Sequence, residues 1–116
     1  MKTASMMLVN LEEGMPTAEQ ADRRLISELG RARASGAKVV KLIHGYGSSG
    51  VGGKLRISVR QFLGAKKRRN MIKTFVSGEE WDIFNDESRR LLEACPDLSR
   101  DRDLGRGNPG ITIVLL

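Results

Sequence analysis

The sequence predicts an α/β domain, because strand-like and helix-like segments alternate along 116 residues. Three observations carry that expectation. Residues 38–44 contain Val39, Val40, Leu42 and Ile43, a nearly continuous apolar run of the kind a strand buried on both faces requires. Residues 111–116 form a second apolar run that would be costly to expose, and so belong inside the sheet. Between residues 17 and 64, apolar side chains recur at three- and four-residue spacing in two stretches, the period of an amphipathic helix. A chain of this length has room for one core, so residues 1–116 are read as a single domain.

In chain order, residues 6–11 read as a short strand that stops at Glu12, Glu13 and Gly14. Pro16 and Thr17 then open a helix to about Ala34, with Ala18, Ala21, Leu25, Leu29 and Ala32 on one face and Gly36 as its stop. The central strand 38–44 follows. Residues 45–53 hold five glycines and form a loop that can approach a ligand closely. A helix from about Lys54 to Gly64 places Leu55, Val59, Phe62 and Leu63 inward. Lys66, Lys67, Arg68 and Arg69 then make a basic run at an exposed junction before a strand over 71–76. Residues 78–108 are mostly polar and read as an inserted segment, with one helix at 87–94 closed by Pro96. Residues 97–108, alternating Asp and Arg with little apolar content, are expected to be a mobile loop. This order admits two or three layers, with parallel strand pairs joined through the helices.

A net charge of +6 favours polyanionic partners, nucleic acid first, although a basic surface kept for solubility has the same composition. Aromatic residues are 4% of the chain, so base-stacking platforms can be few. Cys95 is the sole cysteine, which excludes an intrachain disulfide and a cysteine-based metal cluster and suits a reducing, cytoplasmic setting. Residues 1–11 lack the length of a signal or membrane helix, so no membrane association is expected.

His44, the sole histidine, ends the central strand, at the sheet edge where α/β folds tend to bind ligands. It is a candidate catalytic or ligand-facing residue; the alternative is a histidine that fixes the loop by bonding a backbone group. Gly45 and Gly47, with the later glycines, can present amide N–H groups to phosphate at a helix start. Tyr46 can stack on an unpaired base, or can simply be exposed. Lys54, Arg56, Arg60 and residues 66–69 form the densest positive region and, being close in sequence to the loop, are expected on its side of the domain. Adjacent Glu12 and Glu13 point to opposite faces of an extended chain, so the solvated reading is preferred to a metal site. No metal ligand is assigned.

Ile43-His44-Gly45-Tyr46-Gly47, followed by residues 48–56, resembles the strand-ending HGxG loop and following helix start of the small MutS-related (Smr) domain family. Asn108-Pro109-Gly110-Ile111-Thr112-Ile113-Val114 is similar to that family's closing strand, and residues 16–29 to its first helix. The resemblance implies a compact two-layer β-α-β-α-β-(α)-β sandwich with a mixed sheet, similar to the C-terminal domain of translation initiation factor three. It also implies DNA or RNA as partner and, as in several members, endonuclease activity, with Mg²⁺ or Mn²⁺ as the cofactor if cleavage occurs. Two departures bear on this. The family's first strand ends in Leu-Asp-x-His-Gly, where this chain has Asn10 for the Asp and Glu12 for the His, which removes a proton-transfer group and moves the expectation from cleavage toward binding. The segment 78–108 delays the last strand and offers a lid or a surface for a protein partner, for instance in a repair or translation quality-control complex.

Overall fold

The computed structural model describes residues 6–14, 16–46 and 51–116, with the side chains of 51 and 52 left aside. Gly47 and residues 48–50, expected to complete a phosphate-binding loop, lie outside the described residues. Four strands, β1 (Met6–Asn10), β2 (Val39–Ile43), β3 (Thr74–Ser77) and β4 (Ile111–Leu115), form one mixed sheet in the order β1-β2-β4-β3. β1 and β2 are parallel, and β4 runs antiparallel to both β2 and β3. The carboxyl ends of β1, β2 and β3 therefore share one edge of the sheet with the amino end of β4. The same geometry gathers residues 38, 73 and 116 at the opposite edge.

Alternating residues of each strand face opposite sides. Val40, Leu42 and Val114 pack under helices α1 (Ala18–Ala34) and α2 (Val51–Arg68), meeting Leu25, Leu29, Val59 and Leu63. Val39, Ile111, Ile113 and Leu115 face the other way, onto Trp81, Leu91, Cys95 and Leu98. Residues 78–108, with helix α3 (Asp86–Ala94) and short 3₁₀ turns at Gly78–Glu80 and Pro96–Arg100, thus cover the sheet's second face. The mobile loop expected at 97–108 is corrected: it is a packed layer. The reason lies in polar contacts that hydrophobic patterning does not register. Buried Lys41 of β2 pairs with Asp101 at 2.7 Å and Asp103 at 2.6 Å, and the Trp81 indole donates to Asp101 Oδ2 at 3.0 Å. Burial works to raise the Asp103 carboxyl, but hydrogen bonds from Lys41 and Asn108 outweigh it and hold the group below the usual carboxylate range.

The helix ends follow from local sequence. Thr17 caps α1 in a reciprocal pair with Gln20, each side chain accepting the other's backbone N–H. At its far end Gly36, at φ +85°, lets Ala37 N–H reach Ala32 O and Gly36 N–H reach Arg33 O. α2 closes in the same way around Asn70, at φ +60°, with Met71 N–H on Lys66 O and Asn70 N–H on Lys67 O. This explains why α2 runs four residues past Gly64, the expected stop, and why β3 begins at Thr74 rather than Met71. Gly78 is needed for close approach: a Cβ there would lie 1.7 Å from the Asn108 carbonyl oxygen.

Candidate nucleic-acid interface

His44 follows β2 and continues the alternation of Val40 and Leu42, so its imidazole turns toward α2. It is fully buried. Its Nδ1 lies 2.7 Å from Gly45 O and its Nε2 2.8 Å from Thr112 Oγ1. A carbonyl oxygen can only accept, so Nδ1 carries the proton and Nε2 accepts from the threonine hydroxyl. The Thr112 oxygen in turn accepts Arg60 Nε–H at 3.1 Å. Burial lowers the His44 pKa from 6.5 to about 4, overcoming the Gly45 hydrogen bond, which acts to raise it; Arg60 contributes in the lowering direction. The ring is neutral near pH 7.

Arg60 spends its guanidinium inside the protein. Nη2 donates to Pro109 O at 3.3 Å and Ile111 O at 3.1 Å, and the two terminal nitrogens hold Glu79 at 2.8 and 3.2 Å. Burial would raise the Glu79 carboxyl, yet the Arg60 hydrogen bonds win and hold it below the usual range. Arg56 faces Glu79 from 4.0 Å. The chain Gly45–His44–Thr112–Arg60–Glu79 therefore ties β2, β4, α2 and the turn after β3 into one network at the carboxyl edge.

That network shapes the loop above it. Both His44 N–H and Gly45 N–H donate to Gly110 O, at 2.9 and 3.1 Å, and Gly45 sits at φ +77°, where a side chain would be strained. Tyr46 emerges from this clamp 55% exposed. A cavity of about 340 Å³ opens beside it, lined by Gly45, Tyr46, Glu12, Arg102, Asp103 and Asn108. Lys54 is exposed at the start of α2, whose first turn carries no acidic residue. Asn10 makes a local turn, its Oδ1 accepting Glu12 N–H at 2.9 Å.

The sequence-predicted residues divide into two places. His44, Gly45, Tyr46, Lys54, Arg56 and Arg60 gather at the carboxyl edge. Lys66, Lys67 and Arg68 are in the last turn of α2 and Arg69 follows it, so their expected position beside the loop is corrected: twelve residues of helix separate Lys54 from Lys66, about 18 Å. Residues missed from sequence are Thr112, Glu79 and Lys41. The signals were present for two of them, a threonine and a lysine inside otherwise apolar strands, each of which demands a buried polar partner. Among the described residues no group of three or more His, Cys, Asp or Glu side chains is placed to hold a metal ion together. No helix among the described residues is long and apolar enough to cross a membrane.

A mixed four-stranded sheet with a glycine-flanked His-Gly-Tyr turn at its carboxyl edge defines a compact α/β domain of Smr type. The Smr domain family model matches residues 13–83, and the chain belongs to that family. It is similar in fold to the crystal structure of the Smr domain of Thermus thermophilus MutS2, with a TM-score of 0.59 and 24% identity over 95% of this chain and 96% of that one. No curated protein matches the chain significantly.

Proposed function

We propose that this domain binds DNA or RNA at its carboxyl edge, with Tyr46 stacking on an unpaired base and Gly45, Lys54 and Arg56 meeting the adjoining phosphates. The observation that carries this reading is an aromatic side chain 55% exposed on a turn clamped by two hydrogen bonds to Gly110. A ring held out in that way contacts a base with little loss of freedom on binding. His44 and Arg60 serve as positioning residues in this proposal. A general base needs an open nitrogen within reach of a substrate proton, and both His44 nitrogens are engaged within the protein.

The test is titration of the protein with a labelled single-stranded oligonucleotide and its fully paired duplex. Tyr46→Ala is expected to weaken single-strand binding roughly 5- to 150-fold, the equivalent of about 1–3 kcal/mol per stacked base. Unchanged single-strand affinity would overturn the stacking role. Running the same mixtures with Mg²⁺ or Mn²⁺ addresses the nuclease alternative: cleavage abolished by His44→Ala with binding intact would show His44 to be catalytic after all. For a protein partner through residues 78–108, the outward pair Ile83 and Phe84, 53% and 83% exposed, is the apolar surface that would be engaged.

A further inference from the structure

We infer that the opposite edge of the sheet, not the His44 edge, is the domain's main phosphate-binding surface. This rests on the nucleic-acid reading and moves its electrostatic part elsewhere. The edge is assembled from four elements. Arg33, in the last turn of α1, reaches the Met71 carbonyl and borders a crevice with Lys66. It also lines a hollow of about 440 Å³ together with Lys38 and Lys73. Those two lysines flank the end of β4, since Leu116 N–H donates to Lys38 O and Lys73 N–H to Leu115 O, each at 2.9 Å. Lys67, Arg68 and Arg69 continue the surface and are exposed.

What sets these seven cations apart is that they gather without counter-charge at one edge, whereas Arg24, Lys54, Arg100, Arg102 and Arg106, which also make no ion pair among the described residues, lie elsewhere. None of them makes an ion pair among the described residues, whereas Lys41, Arg56 and Arg60 are all matched with carboxylates. The acidic group that feels Lys67 is Glu87, and it is already paired with Arg90 at 3.1 Å. Removing seven from the twenty Lys and Arg of the chain leaves thirteen against fourteen Asp and Glu. The seven cations of this edge thus outnumber the chain's net charge of +6. Like charges gathered from four separate elements repel one another, and a phosphate backbone relieves that repulsion while releasing its condensed counterions. Such contacts carry no sequence preference; they hold the strand while the Tyr46 edge, about one helix length away, engages bases.

The experiment compares the parent chain, Tyr46→Ala, and a quadruple variant, Lys38→Gln, Lys67→Gln, Arg69→Gln and Lys73→Gln, on labelled duplex DNA and single-stranded RNA of equal length from 50 to 200 mM salt. All four replaced side chains are exposed, so an unchanged thermal melt is expected to show that the variant folds. For duplex DNA, removing four phosphate contacts lowers the slope of log affinity against log salt by about 3.6, and affinity at 150 mM by about 100- to 1,000-fold; for a single strand the slope falls by about 2.8. Tyr46→Ala is expected to leave the slope in place. A quadruple variant with the parent's slope overturns the edge assignment while leaving nucleic-acid binding intact. A parent that binds neither probe, or binds only vesicles containing anionic lipid, overturns the nucleic-acid reading itself.

Discussion

Arg60 and Lys67 lie two turns apart on the same stripe of α2, and their fates are opposite. Arg60 is surrounded by acceptors: the Thr112 hydroxyl, two backbone carbonyls and Glu79. Lys67 stands exposed at the far end of the same helix with no ion pair among the described residues. The difference extends to the whole of the two sheet edges. At the carboxyl edge, Arg56 and Arg60 are matched by Glu79, and Lys54 is the exposed cation left over. At the other edge Arg33 bonds the Met71 carbonyl and Lys66 lies over the Phe62 ring, but no carboxylate matches them and their charge stays available. A count of basic residues therefore says little about where a polyanion binds; what matters is which cations the protein has already neutralised.

The contrast can be broken most severely at Lys41. Lys41→Ala leaves Asp101 and Asp103 largely buried without their cation, and an expected loss of about 3–5 kcal/mol should be read from urea unfolding. Restoring most of that loss with Asp101→Asn and Asp103→Asn in the same chain would identify stranded charge as the cause; no recovery would point to lost packing instead.

Acidification should act next most strongly. The unfolded chain's histidine titrates near 6.5 and the folded one near 4, so between those values the unfolded state binds a proton that the folded state does not. Stability contributed by neutral, buried His44 is thus complete above about pH 6.5 and falls with pH, by about 2 kcal/mol at pH 5 and about 3 kcal/mol below pH 4. His44 is the sole histidine, so the interval from pH 7 to 5 reports on it with little interference from carboxylates. Denaturation midpoints that stay level across that interval would contradict a buried neutral ring. Asp103 adds a second loss in the same direction at lower pH, because its folded carboxyl is held below the ordinary value.

The smallest effect belongs to the opposite edge. Lys67→Gln and Arg69→Gln should each move unfolding free energy by no more than about 0.5 kcal/mol. A loss well beyond that would make these side chains structural and erase the distinction between the two edges.

Much of the architecture was legible in the residues. The apolar run 39–43, the 18–34 periodicity with Thr17 and Gly36 at its ends, and the closing strand 111–115 all stand where the patterning put them. The sheet's second cover was less legible. Residues 97–108 offer few apolar side chains, and the forces that dock them, the Lys41 ion pairs and the Trp81 indole bond, join positions 20 to 62 residues apart. Period and propensity are local quantities and cannot register such pairs. The candidate site was half legible: the His-Gly-Tyr turn was visible as a motif and Thr112 as a lone threonine in an apolar strand, while their partnership, and the part of Glu79, became apparent only once β4 and the turn after β3 were brought beside β2. The run 66–69 was visible as charge, but the three turns of helix that carry it away from the loop depended on a stop at Asn70 rather than Gly64.

The strand order has a consequence for how the domain comes into being. β4, latest of the four in sequence, occupies the interior of the sheet, between β2 and β3. Until residues 111–115 have been synthesised, those two earlier strands have no common neighbour, His44 has no Thr112 and Arg60 no carbonyls to hold. Between the completion of β3 and the arrival of β4 a growing chain therefore carries two open strand edges and an unfinished apolar face, and completes them in a single long-range step. Contacts this distant in sequence make for slow, all-or-none folding, and they place the period of greatest aggregation risk just before the last strand arrives.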